Sequence, residues 1–201
     1  MEATEIQVLQ EKLLDWYNPG ERAMPWRAMP GEIPNPYYVW LSEVMLQQTT
    51  VGTVKSYFNA FIHRWPTLKD FSKAPLEDVL HAWQGLGYYT RARSLVKCAA
   101  QLMENYNGEF PNDPKILIKL SGIGPYSAAS IASIAFDYPI VPVDGNVVRV
   151  FARLGALKDP VDDLKKTLPQ SLENHAPKKR AGDFAQALMD LGATVCTPSN
   201  P

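Results

Sequence analysis

The chain has 201 residues, 46% of them hydrophobic, and a formal net charge of -1. That length allows one domain or two small lobes around a real core, and no apolar run approaches the roughly 18 residues of a membrane span. The charge excludes a nonspecific polycation, so a nucleic-acid binder of this composition must gather its cations on one face or grip with backbone amides.

The acidic, amphipathic start MEATEIQVLQEKLL fits neither a signal nor a transit peptide. Two cysteines, Cys98 and Cys196, have no CxxC partner and imply no disulfide framework, so a cytoplasmic protein is expected. Ile6, Leu9, Leu13, Leu14 and Tyr17 stripe a first helix that stops at Asn18-Pro19-Gly20. A proline-rich connector, AMPWRAMPGEIPNP, follows. Asn35 then caps a helix with Pro36 at its first position, running through YYVWLSEVMLQQT. A break near Val51-Gly52 leads to VKSYFNAFIHRW, closed by Pro66. PLEDVLHAWQ ends at Gly85-Leu86-Gly87, and YTRARSLVKCAAQLMENY ends at Asn107-Gly108. Asp113-Pro114 open a short helix into Leu-Ser-Gly-Ile-Gly, and Pro125 sits in the first turn beyond it. PIVPV is too short and too broken by Pro142 to be a strand. After Asp144 and GNVVRV come ARLGAL, a Lys/Asp-rich helix near DDLKKTLPQSLENH, and a last helix GDFAQALMDLGATV. The expected fold class is all-α.

Gly122 and Gly124 permit positive φ and turn amides outward as an anion site. With Leu117, Leu120, Ile123 and the apolar run after Ala128 they spell a helix-hairpin-helix, although a plain αα corner would also use a glycine to end a helix. Glu43 is an isolated charge in VWLSEVML. Buried there it would stay protonated and could serve as an acid, while spacing alone favours a surface glutamate. Asp144 suits an N-cap, and the pattern alone needs nothing more of it. A helix start also favours negative charge, compatible with a carboxylate beside an oxocarbenium-like sugar. Gln47 to Thr50 and the run GYYTRAR offer amides and rings of the kind base extrusion uses. Their ordinary readings are core packing for at least one of Tyr88 and Tyr89 and a solvated face for Arg91 and Arg93. His63, His81 and His175 lack metal-ligand spacing, and Met45 and Met189 read as core.

Taken together, MPWR, SEVMLQQT, GLGYYTRAR, LSGIGPY, VDGNVVRV and DLGATVC resemble, in order and over essentially the whole chain, the MutY adenine DNA glycosylases of the helix-hairpin-helix superfamily. The resemblance implies two helical lobes flanking a DNA groove: a six-helix lobe over 22–137 carrying the hairpin, and a second over 1–21 and 138–201. It implies a monomer that acts on double-stranded DNA and removes adenine mispaired with 8-oxoguanine or guanine. Glu43 matches the acid that protonates the base and Asp144 the aspartate facing the sugar cation, with Tyr126 and Asn146 in support. Trp26, Arg27, Leu46 and Val51 fall in the adenine pocket, and Gln186 at a polar contact to the base. Gln48, Thr49 and Tyr88 match residues inserted around the estranged base, and Gly122, Ile123 and Gly124 the phosphate-binding hairpin. Relatives resembling endonuclease III carry a lysine where Tyr126 stands. A phenol forms no Schiff base, so a monofunctional glycosylase is expected. The family also closes a 4Fe-4S cluster on four cysteines, of which only Cys196 has a counterpart here. The cluster is therefore not expected on this chain, and that segment and the 8-oxoguanine-recognising domain are expected to be truncated or naturally absent. GEIPN is extra material relative to the family. A noncatalytic DNA-binding module and a glycosylase of other base specificity are the alternatives.

Overall fold

The computed structural model describes residues 2–18, 22–29, 32–199 and 201; Pro19 and Gly20 of the expected first stop and Gly31 of the extra segment lie outside them. Among these residues there are helices and no strands. They are α1 (Ala3–Tyr17), α2 (Pro36–Leu46), α3 (Val51–Arg64), α4 (Leu68–Ser72), α5 (Leu76–Ala82), α6 (Thr90–Asn105), α7 (Pro114–Leu117), α8 (Pro125–Phe136), α9 (Gly145–Leu154), α10 (Val161–Ser171) and α11 (Ala181–Thr194). The chain forms two compact units, Ala23–Ile131 and the combination of Met1–Arg22 with Ala132–Pro201, and the boundary falls inside α8.

The unit Ala23–Ile131 is built on aromatic packing. Trp40, Phe58, Phe61, Phe71 and Trp83 are fully buried, and Phe71 meets Trp40 and Trp65 edge-on at 6.0 and 5.6 Å between ring centres. Phe71 comes from α4, a single turn absent from the periodicity because five residues carry too little pattern. The Thr67 hydroxyl starts it by accepting from Asp70 N at 3.1 Å. Two other boundaries differ from the sequence reading. The helix expected through the glutamines ends at Leu46, because Gln48 takes a left-handed φ of 57°. The next begins at Val51 rather than after Gly52, because Thr50 caps Thr53 N at 3.4 Å and Gly52 is carried inside the first turn.

In the other unit α11 packs on α1 and α9, and α10 packs on α9. Leu13, Tyr17, Val147, Phe151, Leu164, Phe184 and Leu188 fill the space between them. The start of α11 is anchored by Asp137, whose carboxylate accepts from Arg180 N at 2.8 Å and Gly182 N at 3.0 Å. The helix opened by Asp144 runs past Val150 to Leu154 and so absorbs the ARL that follows. Met45 is fully buried, and Met189 is partly buried against this second core.

Candidate functional site

α2 starts on a strong local signal: the Asn35 side chain accepts from Tyr37 N at 3.0 Å, and Pro36 takes the position whose N–H has no helical partner. Its sequence is apolar on every side, so the helix runs through the core, with Tyr37, Val39, Trp40, Leu41, Val44 and Met45 all buried. Glu43 goes in with them and is only 7% exposed. The surface reading of this glutamate fails because the helix has no solvent face at that level. In the same unit, Tyr126 is half-buried in the first turn of α8. Trp26 is buried edge-on against Phe58, 5.4 Å between ring centres. Arg27, Leu46 and Val51 are half-buried.

The link between α2 and α3 exposes Gln48 and half-buries Thr49, whose N–H donates to Leu46 O at 3.3 Å. The loop before α6 carries Tyr88, 64% exposed with a left-handed φ of 46°, and Tyr89, 43% exposed. Neither tyrosine packs in the core, contrary to the expectation that one would. Arg91 corrects the sequence reading in the opposite sense. It is half-buried, and its terminal nitrogens donate to backbone carbonyls of both segments: Nη1 to Val44 at 2.8 Å and Gln47 at 2.7 Å, and Nη2 to Leu86 at 2.9 Å. Burial lowers its pKa, against the nearby Tyr88, which raises it. Arg93 stays exposed.

The hairpin is set locally by Asp113, which accepts from Lys115 N at 2.8 Å. Gly122 has φ 77°, and a Cβ there would lie 2.5 Å from the Ser94 Cβ, so both its backbone and its closeness to α6 require glycine. Gly124 has open space around it, and both glycines are exposed while Ile123 is buried beneath them. Ser121 N donates to the Gln101 side chain at 2.7 Å, tying the tip to α6. A small cavity of about 90 Å³ is walled by Gln47, Arg91, Ser94 and Gly122, so the end of α2, the start of α6 and the hairpin converge.

Asp144, Asn146 and Gln186 belong to the other unit. Asp144 caps α9, with Oδ1 accepting from Val147 N at 2.8 Å. Its second oxygen accepts from the Asn146 amide at 2.8 Å, and the Asn146 carbonyl accepts from Arg149 Nη2 at 2.8 Å. Arg149 continues the chain of bonds onto the backbone of α11 and beyond, to Gly192 O at 2.5 Å and Cys196 O at 2.6 Å. The carboxylate is therefore oriented by groups that reach the far end of α11. Gln186 is half-buried on that same helix.

A 4Fe-4S cluster takes four thiolates. The chain has two cysteines. Cys98 is fully buried in α6 of the hairpin-bearing unit, where burial pushes its thiol up to about 12. Cys196 is half-buried, with its Sγ 3.1 Å from Arg153 Nη1. Among the described residues no group of three or more His, Cys, Asp or Glu could hold a metal ion. This donor set does not fit the cluster. His63 and His81 are exposed, and His175 lies edge-on to Phe151. No helix among the described residues is long and apolar enough to cross a membrane.

Residues 41–177 match a family described as HhH-GPD superfamily base excision DNA repair protein. An adenine DNA glycosylase of Mus musculus is 43% identical over 210 residues, covering 100% of this chain and 40% of its own length. The chain thus spans about two-fifths of that relative. Among solved structures, a thermostable thymine-DNA glycosylase matches with a TM-score of 0.85 at 28% identity, covering 100% of this chain and 92% of that one. An endonuclease III trapped covalently on DNA as an estranged-adenine complex matches with a TM-score of 0.78 at 25% identity, covering 100% and 91%. With the helical hairpin, the buried glutamate and the capping aspartate already in view, these matches show that the chain belongs to the HhH-GPD superfamily of base excision DNA repair proteins.

Proposed function

We propose that the chain is a monofunctional adenine DNA glycosylase that hydrolyses the N-glycosidic bond of adenine mispaired with 8-oxoguanine or guanine in duplex DNA. The observation that carries this reading is the burial of Glu43, the one carboxyl-bearing side chain of an otherwise apolar helix, because simple DNA binding does not call for a buried acid. In this reading Glu43 gives its proton to the leaving base, and the electrons of the C1′–N bond depart with that base. Asp144, held by the Asn146 amide, faces the positive charge that develops on the sugar. Water adds at C1′ and returns a proton to the glutamate. Tyr126 has no amine, so the reaction ends at hydrolysis without an imine to the enzyme. Gln48, Thr49 and Tyr88 work around the extruded base, Trp26, Arg27, Leu46 and Val51 receive it, and Gln186 offers it a polar contact. The hairpin tip holds a phosphate on the amides of Gly122 and Gly124, while Ile123 N donates to Leu120 O at 3.2 Å and shapes the turn. The name of the mouse relative supports adenine as the base.

The likeness to the thymine-DNA glycosylase favours a second reading, the same chemistry on another base. Duplexes bearing adenine opposite 8-oxoguanine, guanine or thymine, with a thymine opposite guanine as a further arm, distinguish the two. Glu43→Gln is expected to slow adenine release by about 10²–10⁴-fold while duplex binding persists. Release at the wild-type rate removes Glu43 as the acid, and a borohydride adduct as abundant as that of a lysine-bearing relative removes the monofunctional assignment.

A further inference from the structure

Gln48 and Tyr88 share an unusual property: each is a large non-glycine residue in left-handed backbone, with φ of 57° and 46°. Such conformations persist where the surroundings over-determine them. They lie forty residues apart in sequence, and both are flanked by carbonyls bound to one side chain. Arg91 Nη1 holds Val44 O and Gln47 O, at the end of α2 where carbonyls lack helical partners. Nη2 holds Leu86 O at 2.9 Å and approaches Gly87 O at 3.4 Å, immediately before Tyr88. The guanidinium also lies 5.6 Å from the centre of the Tyr88 ring and 5.3 Å from that of Trp83. Both terminal nitrogens are thus engaged by the protein's own backbone, and Nε is buried without a partner. The group is arranged to hold two loops together rather than to meet a phosphate.

We propose that Arg91 is a positioning residue that latches the α2–α3 link to the Tyr88 loop, so that Gln48 and Tyr88 move as one rigid wedge when a base is extruded. The latch follows from the geometry; its use in extrusion rests on the glycosylase reading above. A planar fork is needed because the two sets of carbonyls are served by different nitrogens of one group. A lysine ammonium is a single point charge on a flexible stem and satisfies one set at best.

The test uses Arg91→Lys and Arg91→Met in the full chain. Amide hydrogen exchange of the free protein is expected to quicken by at least about tenfold in both 47–50 and 86–89, with the amides of α3 and α6 keeping their protection. Unchanged exchange, loosening of one segment only, or loss spread evenly over 23–131 overturns the latch. Base release from an adenine:8-oxoguanine duplex is then compared for Tyr88→Ala, Arg91→Lys and the double variant. If Arg91 acts through Tyr88 and its partner loop, the double variant is at most about threefold slower than the slower single, whereas losses that multiply overturn the coupling. A wild-type chain that releases no adenine sinks the glycosylase reading instead, and the exchange measurement still decides the latch.

Discussion

Replacing Asp144 by asparagine separates the two jobs of its carboxylate. One oxygen caps α9 through Val147 N, and asparagine preserves that bond because it caps as well as aspartate does. The other oxygen accepts from the Asn146 amide, and an asparagine at 144 would set two NH₂ groups face to face. Flipping Asn146 would relieve that conflict at the expense of its bond to Arg149. One hydrogen bond is lost either way, about 0.5–1.5 kcal/mol, which lowers Tm by about 2–4 °C per kcal/mol for a chain of this size. Asp144→Ala loses the cap as well, about 1 kcal/mol more. Base release should not follow that order. In the proposed mechanism both variants remove the negative charge that faces the sugar cation, so single-turnover release of adenine is expected to fall by about 10²–10³-fold in each. The assay pairs thermal melting with release from an adenine:8-oxoguanine duplex. If Asp144→Asn keeps release within a few-fold of wild type, the aspartate is a cap and nothing more. A loss of release that scales with the loss of stability would likewise refute the charge argument.

The end of α11 gives a second prediction. A Cβ at Gly192 would lie 2.5 Å from the Asn146 Cβ and 2.9 Å from its Cα and carbonyl oxygen, so Gly192→Ala must push α9 and α11 apart. Overpacking of this kind costs about 1–3 kcal/mol. Melting should show it, together with slower base release because Asn146 orients Asp144, and an unchanged Tm would refute the contact. Cys98 gives a third. Burial raises its thiol to about 12, while an unfolded thiol ionises near 9. Below pH 9 both states hold the proton and the contribution is intact. From pH 9 to 12 only the unfolded state releases it, so stability falls by up to about 1.4 kcal/mol per pH unit. Urea unfolding at pH 8 and pH 10 should therefore show a steeper loss in wild type than in Cys98→Ala, and equal losses would refute the burial argument.

Most helices follow from local physics that acts within four residues. Asn35 with Pro36, Asp113 with Pro114, and Asp144 before a valine-rich run each meet their own backbone partners nearby, so residue order alone determined where those helices begin. The same holds for Gly122, whose turn demands a positive φ. Burial of Glu43 was legible in part, because α2 has apolar residues on every side, but the ordinary preference of glutamate for water pointed the other way. Only tertiary structure decided the rest. α4 is too short to carry a period, and its Phe71 is recognised by the rings it meets. Arg91 binds carbonyls more than forty residues back along the chain, and Arg149 binds carbonyls more than forty residues ahead. Backbone oxygens carry no residue identity, so such partners leave no trace in the order of side chains. The sequence determined which groups were available for chemistry, and the packing of distant segments determined which of them are held in place.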